Sequence, residues 1–154
     1  MIRAYPIAAE VPVSRVLVVA NETVGADELL AEIRRIEDEK SSEFFVVAPA
    51  LAGDHGKGTW SQAGAIEAAR VRLESMLEIL RGEGLKCDGE VGDMLPVPAI
   101  RDALRRFEAD RIVISTHPEG RSGWLRRDLV GRIKSTFGLP VQHIVSHVRE
   151  EAKT

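Results

Sequence analysis

The 154-residue sequence is long enough to bury one hydrophobic core and too short for two domains of ordinary size. Its 21 basic and 24 acidic residues give a formal net charge of -3, so it lacks the overall positive field that binds nucleic acid or an anionic membrane surface. We therefore expect no nucleic-acid partner and no membrane partner.

Two further features indicate a cytoplasmic protein. Cys87 is the single cysteine, which excludes a disulfide within the chain and fits a reducing compartment. No segment resembles a signal peptide, and none approaches the roughly 20 apolar residues that cross a bilayer.

Strands and helices alternate along most of the chain. We predict an N-terminal arm over residues 1–14, an α/β domain over residues 15–148 and a charged tail over residues 149–154. Apolar and β-branched runs predict strands over residues 15–20, 44–48, 85–91, 111–115 and 141–145. Apolar residues at helical spacing predict helices that begin at residue 26 and then cover residues 62–81, 97–107 and 124–137.

Three details of these elements are predicted as well. Pro49 ends the second strand, and Ile66 lies on the buried stripe of the second helix. The third strand contains Asp88 and Gly89, which an edge strand tolerates better than a central one.

This order of elements predicts a single-domain, doubly wound, five-stranded parallel sheet of the Rossmann-like type, with strand order 3-2-1-4-5. Ligands of such sheets bind at the carboxyl ends of the strands, where the strand order reverses. The rule selects three loops, at residues 21–25, 49–58 and 115–123.

The segment over residues 110–131 is the strongest candidate for a binding site. A buried strand leads through Gly120, Arg121, Ser122 and Gly123 into a helix that opens at Trp124. Backbone N–H groups and a positive helix end converge in such a layout, which favours a small anion or a phosphate. The alternative is that Ser122 only caps the helix and that the arginines are solvated.

Most other polar or aromatic residues have ordinary structural interpretations. For Trp124 the two alternatives are stacking on a base and packing at the helix start. For His117 the alternatives are a phosphate contact, a general acid and an ordinary loop residue. His55 lies in a polar loop, and His143 and His147 are surface or interface residues by default, so we predict no metal site.

One set of residues carries a family resemblance: Val91, Gly92 and Asp93, the runs over residues 109–117 and 120–123, and Gly138, Leu139, Pro140 and Val141. With these residues the sequence resembles the universal stress protein family from residue 15 to residue 145. The chain departs from the ATP-binding pattern of that family, since Ser115 replaces its first glycine and Arg132 follows Gly131 in place of a small hydroxyl residue. Asn21 stands where an acidic residue meets the ribose. The resemblance thus identifies a divergent member with an adenine nucleotide alpha hydrolase-like fold.

The resemblance implies a binding site for ATP, ADP or AMP, with magnesium only as the companion of the nucleotide. Asn21 would contact the ribose or base, residues 47–49 would line the base pocket, and residues 120–124 would bind the phosphate. The predicted binding residues are Asn21, Thr23, Val47, Pro49, Ser115, Thr116, His117, Gly120, Arg121, Ser122, Gly123 and Trp124. It also implies a homodimer, formed through the last strand over residues 141–146.

Three functions follow as hypotheses. The first is a domain that binds an adenine nucleotide or another small anion without strong catalysis, which agrees with the lack of a Gly-x-Gly-x-x-Gly, Walker or nucleophile-elbow motif. The second is a ligand-free dimeric regulatory module. The third is a weak nucleotide hydrolase in which His117 or Glu119 assists water.

Overall fold

The computed structural model describes residues 13–20, 23–24, 26–49, 62–92, 95–116 and 128–146. Residues 1–12 of the predicted arm over residues 1–14, the loop over residues 50–61 and the charged tail lie outside the described residues.

Strands and helices alternate within the described residues in the predicted order. The strands are β1 (Ser14–Val19), β2 (Ser42–Pro49), β3 (Lys86–Gly92), β4 (Arg111–Thr116) and β5 (Val141–Val145). The helices are α1 (Asp27–Glu39), α2 (Gln62–Gly82), α3 (Pro96–Arg106) and α4 (Leu129–Phe137). Parallel pairing gives the strand order β3-β2-β1-β4-β5, so the predicted fold and strand order are confirmed.

Each face of the sheet carries its own hydrophobic layer. On one face Val16, Val18 and Val113 pack with the apolar stripes of α1 and α2. On the other face Leu17, Ile112 and Ile114 pack with α3 and α4. Strands buried on both faces read as continuous apolar runs, which is why β1 and β4 could be located from the sequence.

Pro49 ends β2 as predicted: it is the last residue of the strand and lies opposite Gly92, because a strand end does not need the N–H that proline lacks. Two other local predictions are wrong. Ile66 is 42% exposed, since Ala65 and Ala69 take the buried positions on that turn of α2. The prediction places Asp128 inside a helix, but its φ of 52° is left-handed, so α4 begins at Leu129, and residues 124–127 lie outside the described residues.

Arg15 packs across the end of the sheet at which the strands begin, which we name the amino edge. Its backbone N–H donates to Asp110 Oδ2 at 2.8 Å, and its Nε donates to the carbonyl oxygen of Glu108 at 2.7 Å. Its guanidinium lies 4.3 Å from the ring centre of Phe107, which stacks on Phe45. These contacts tie β1 to the chain before β4 and favour the pairing of the two strands.

The edge position of β3 is confirmed, and Gly89 is required there by close packing. A Cβ added at Gly89 would lie 2.6 Å from the carbonyl oxygen of Val46 on β2. This atom belongs to the backbone of the neighbouring strand and cannot move aside without disturbing the ladder.

We expect Gly89→Ala to lower the free energy of unfolding by about 1–3 kcal/mol, the usual cost of overpacking. The matched control is Gly82→Ala at the end of α2, where an added Cβ meets no heavy atom within 4 Å. Urea denaturation of both variants is the measurement. Equal stabilities for the two variants would contradict this packing.

Candidate functional site at the carboxyl edge

The carboxyl ends of β1 and β4 lie side by side, as a ligand site at the reversal of strand order requires. Val19 near the end of β1 lies opposite Ile114 on β4. Beyond the strand, the hydroxyl of Thr23 donates to the carbonyl oxygen of Ser115 at 3.3 Å. The loop after β1 and the end of β4 are therefore in direct contact.

A cluster of buried hydroxyl groups forms this contact. Ser115 Oγ lies 2.8 Å from Thr23 Oγ1 and 2.8 Å from Ser146 Oγ. The backbone N–H of Ser146 donates to the carbonyl oxygen of Thr116 at 2.8 Å. We name Thr23, Ser115 and Ser146 the rim hydroxyls, because they join the ends of β1, β4 and β5.

On the other face of β4 the side chain of Thr116 meets His143. Thr116 Oγ1 lies 2.7 Å from His143 Nε2. Partial burial of the imidazole lowers the pKa of His143 below its ordinary value of 6.5, because desolvation disfavours the imidazolium. The lowered pKa favours the neutral ring, which accepts a hydrogen bond from the Thr116 hydroxyl when its Nδ1 carries the hydrogen.

The described residues of β2 complete this part of the edge. Val47 is fully buried between β1 and α3, and Pro49 is buried at the strand end. The backbone N–H of Ala20 donates to the carbonyl oxygen of Val47 at 3.2 Å, which ties the end of β1 to β2. A role for Val47 and Pro49 as the wall of a base stays a prediction.

The carboxylate of Asp128 lies beside Gly131 at the start of α4. A Cβ added at Gly131 would lie 2.7 Å from Asp128 Oδ2, so a larger residue there would displace this carboxylate. The negative charge of Asp128 complements the positive end of the helix.

Of the predicted binding residues, the structure brings Thr23, Ser115 and Thr116 together at one edge, with Val47 and Pro49 on the next strand. Asn21, His117, Gly120, Arg121, Ser122, Gly123 and Trp124 lie outside the described residues, so their roles stay predictions. Ser146 was missed by sequence reasoning. The sequence feature that could have identified Ser146 is its position directly after β5, at the carboxyl ends of the strands.

Two features are absent from the part of the chain that the structure describes, a metal-binding cluster and a membrane-spanning helix. Among the described residues, no group of three or more His, Cys, Asp or Glu side chains is arranged to hold a metal ion. The same part of the chain contains no helix with the length and apolar character to cross a membrane.

No protein-family model and no curated protein matches the sequence. Among solved structures, the chain is similar to a universal stress protein from Archaeoglobus fulgidus, with a TM-score of 0.56 and 20% identity over 85% of this chain and 93% of that one. It is also similar to the universal stress protein from the same organism in complex with dAMP, with a TM-score of 0.56 and 23% identity over 87% and 98% of the two chains. The chain has the fold of the universal stress proteins.

We expect the NMR titration of His143 to have its midpoint below 6.5, and that of the urea-unfolded chain to lie near 6.5. Because the folded state binds its proton less readily, this histidine contributes stability above pH 6.5 that is lost as the pH falls through 6.5 towards the folded-state pKa. A folded-state midpoint at or above 6.5 would contradict the desolvation of the ring.

Proposed function

We propose that this chain, which has the universal stress protein fold, is a cytoplasmic universal stress protein-like domain that binds an adenine nucleotide at the carboxyl edge of its sheet without strong catalysis. One observation carries the proposal: the contact of Thr23 with Ser115 brings the loop after β1 to the end of β4. A similar structure with dAMP supports the ligand class. The lone Cys87 supports the reducing compartment.

The proposed site has two halves. Asn21, two residues before Thr23, would meet the ribose or base, beside a base wall formed by residues 47–49. The phosphate would lie at Gly120 to Trp124, where glycines let it approach the backbone and Arg121 supplies a charge-assisted hydrogen bond. His117 lies between the two halves in sequence. ATP, ADP and AMP are the candidate ligands, with magnesium accompanying the longer phosphates.

We expect AMP, ADP or ATP with magnesium to raise the melting temperature in a thermal-shift series. A ligand at 100 times its Kd adds about 2.7 kcal/mol to the stability of the native state. For a domain of this size the shift corresponds to roughly 5–10 °C. No shift at millimolar nucleotide would contradict the proposal and favour a ligand-free module.

The phosphate half of the site is tested by Gly120→Val, which puts a branched side chain where the backbone would approach the ligand. We expect at least a tenfold loss of nucleotide affinity by calorimetry, or about 1.4 kcal/mol. Gly82→Val is the matched control, because an added Cβ at Gly82 has open space around it. Unchanged affinity in Gly120→Val would place the phosphate elsewhere.

We also propose that the chain forms a homodimer through β5. In the described residues β5 pairs with β4 alone, and its five residues include no charged residue and no proline. The opposite edge strand, β3, carries Lys86, Asp88 and Glu90. Charged side chains prevent edge strands from pairing with other chains, so β5 is the edge suited to pair with a second copy about a two-fold axis.

The β5 edge is held in a fixed position by polar contacts at its amino end. Gln142 accepts a hydrogen bond from Arg111 at 2.6 Å and donates one to Glu32 at 2.6 Å. A hydrogen bond from Arg35 lowers the pKa of Glu32, so this carboxylate stays ionised at neutral pH. A preorganised edge loses less conformational freedom when it pairs.

We expect sedimentation to give a dimer for the wild type and a monomer for Val145→Lys. The substitution adds one positive charge in each copy, and the two charges would repel each other at the shared interface. Val145 is 41% exposed at the end of β5. The control is Val71→Lys on α2, where Val71 is 52% exposed and the same charge should leave the dimer intact. A monomeric wild type would contradict the proposed dimer.

A further inference from the structure

The rim hydroxyls form a chain whose hydrogen bonds run in one direction. Thr23 has a single hydroxyl hydrogen, and it is donated to the carbonyl oxygen of Ser115. Ser115 must then donate its own hydrogen to Thr23 Oγ1, and Ser146 must donate to Ser115 Oγ. Every hydroxyl hydrogen of the three residues is therefore used inside the cluster.

This arrangement determines what the rim hydroxyls can do. Their residues are no more than 2% exposed, and an ionised phosphate oxygen can only accept hydrogen bonds. A phosphate would receive no hydrogen from them unless the chain broke. The three hydroxyls are thus suited to hold other groups in place and not to contact the ligand.

The rim hydroxyls hold Thr23, which is bonded to the entry of α1. The hydroxyl of Thr23 is fixed by Ser115, and its carbonyl oxygen accepts the backbone N–H of Ala26 at 2.9 Å. Ala26 in turn accepts the N–H of Leu30 at 3.0 Å, in the first turn of α1. Ser115 therefore acts on the entry of α1 through one side chain, that of Thr23.

We propose that Ser115 is a positioning residue, whose hydroxyl fixes Thr23 and the entry of α1 so that they are preorganised beside the ligand. The inference rests on the proposed nucleotide-binding function for its affinity readout, and it assigns Ser115 a positioning role in place of the ligand contact predicted from the sequence. Ser146 supports Ser115 from the end of β5. Without the Ser115 hydroxyl, Thr23 Oγ1 and Ser146 Oγ would be buried with one partner fewer, which loosens the turn.

The test uses Ser115→Ala, Thr23→Val and the double variant, since valine has nearly the shape of threonine without its hydroxyl. The readouts are amide hydrogen exchange at Ala26 and AMP affinity by calorimetry. We expect each single variant to speed amide exchange at Ala26 and to lower the affinity for AMP by about tenfold. The double variant should do little more than either single one, because both changes remove the same hydrogen bond.

The matched control is Ser42→Ala at the amino edge of the sheet. Ser42 is also 2% exposed, and its hydroxyl donates to the carbonyl oxygen of Lys40 at 2.7 Å. The control removes one buried hydroxyl hydrogen bond as well, so it should lower stability while leaving exchange at Ala26 and AMP affinity unchanged.

Two results would overturn the inference. The first is an exchange rate at Ala26 that changes no more in Ser115→Ala than in Ser42→Ala, and the second is full additivity of the Ser115 and Thr23 substitutions. If Ser115→Ala failed to fold, Thr23→Val would give the same comparison from the other side of the bond. If the wild type bound no AMP, the proposed function would fail, while exchange at Ala26 would still decide the role of Ser115.

Discussion

The parallel pairing of β1 with β4 is the constraint on which the structure of this domain depends. It joins the two halves of the sheet, since β2 and β3 extend from β1 while β5 extends from β4. It also reverses the strand order between them, so the loops after β1 and β4 leave the sheet at a common point. The hydrogen bonds between Thr23 and Ser115 show that the segment after β1 meets the end of β4 itself. Both the fold and the proposed site follow from this one strand pair.

The two edges of the sheet have different chemistry. At the amino edge, long side chains such as Arg15 and Phe107 close the space between elements by ion pairing and stacking. At the carboxyl edge, the described contacts between β1, β4 and β5 include small hydroxyl groups bonded to one another and the Thr116–His143 contact. In sheets of this type the loops at the carboxyl edge are the usual ligand-binding segments, and the rigid strands position them.

The sheet could be predicted from the sequence because β1 and β4 are continuous apolar runs between helices of clear periodicity. It was insufficient where a single residue decides between neighbouring positions. Ile66 has the side chain of a core residue, yet the rotation of α2 turns Ala65 inward instead. Asp128 breaks a helical pattern through its backbone conformation, which periodicity does not report. Ser146 joins the site only through contacts between residues that are distant in sequence, which no local pattern contains.

The central claim is that the carboxyl edge between β1 and β4 is the ligand-binding edge. The most direct measurement is an amide NMR titration of the wild-type chain with AMP. The account predicts that chemical-shift changes concentrate at Thr23, Val24, Ser115, Thr116 and Ser146, around the strand reversal. Changes concentrated instead at Arg15, Ser42, Lys86 and Asp110 would place the ligand at the amino edge and contradict the account.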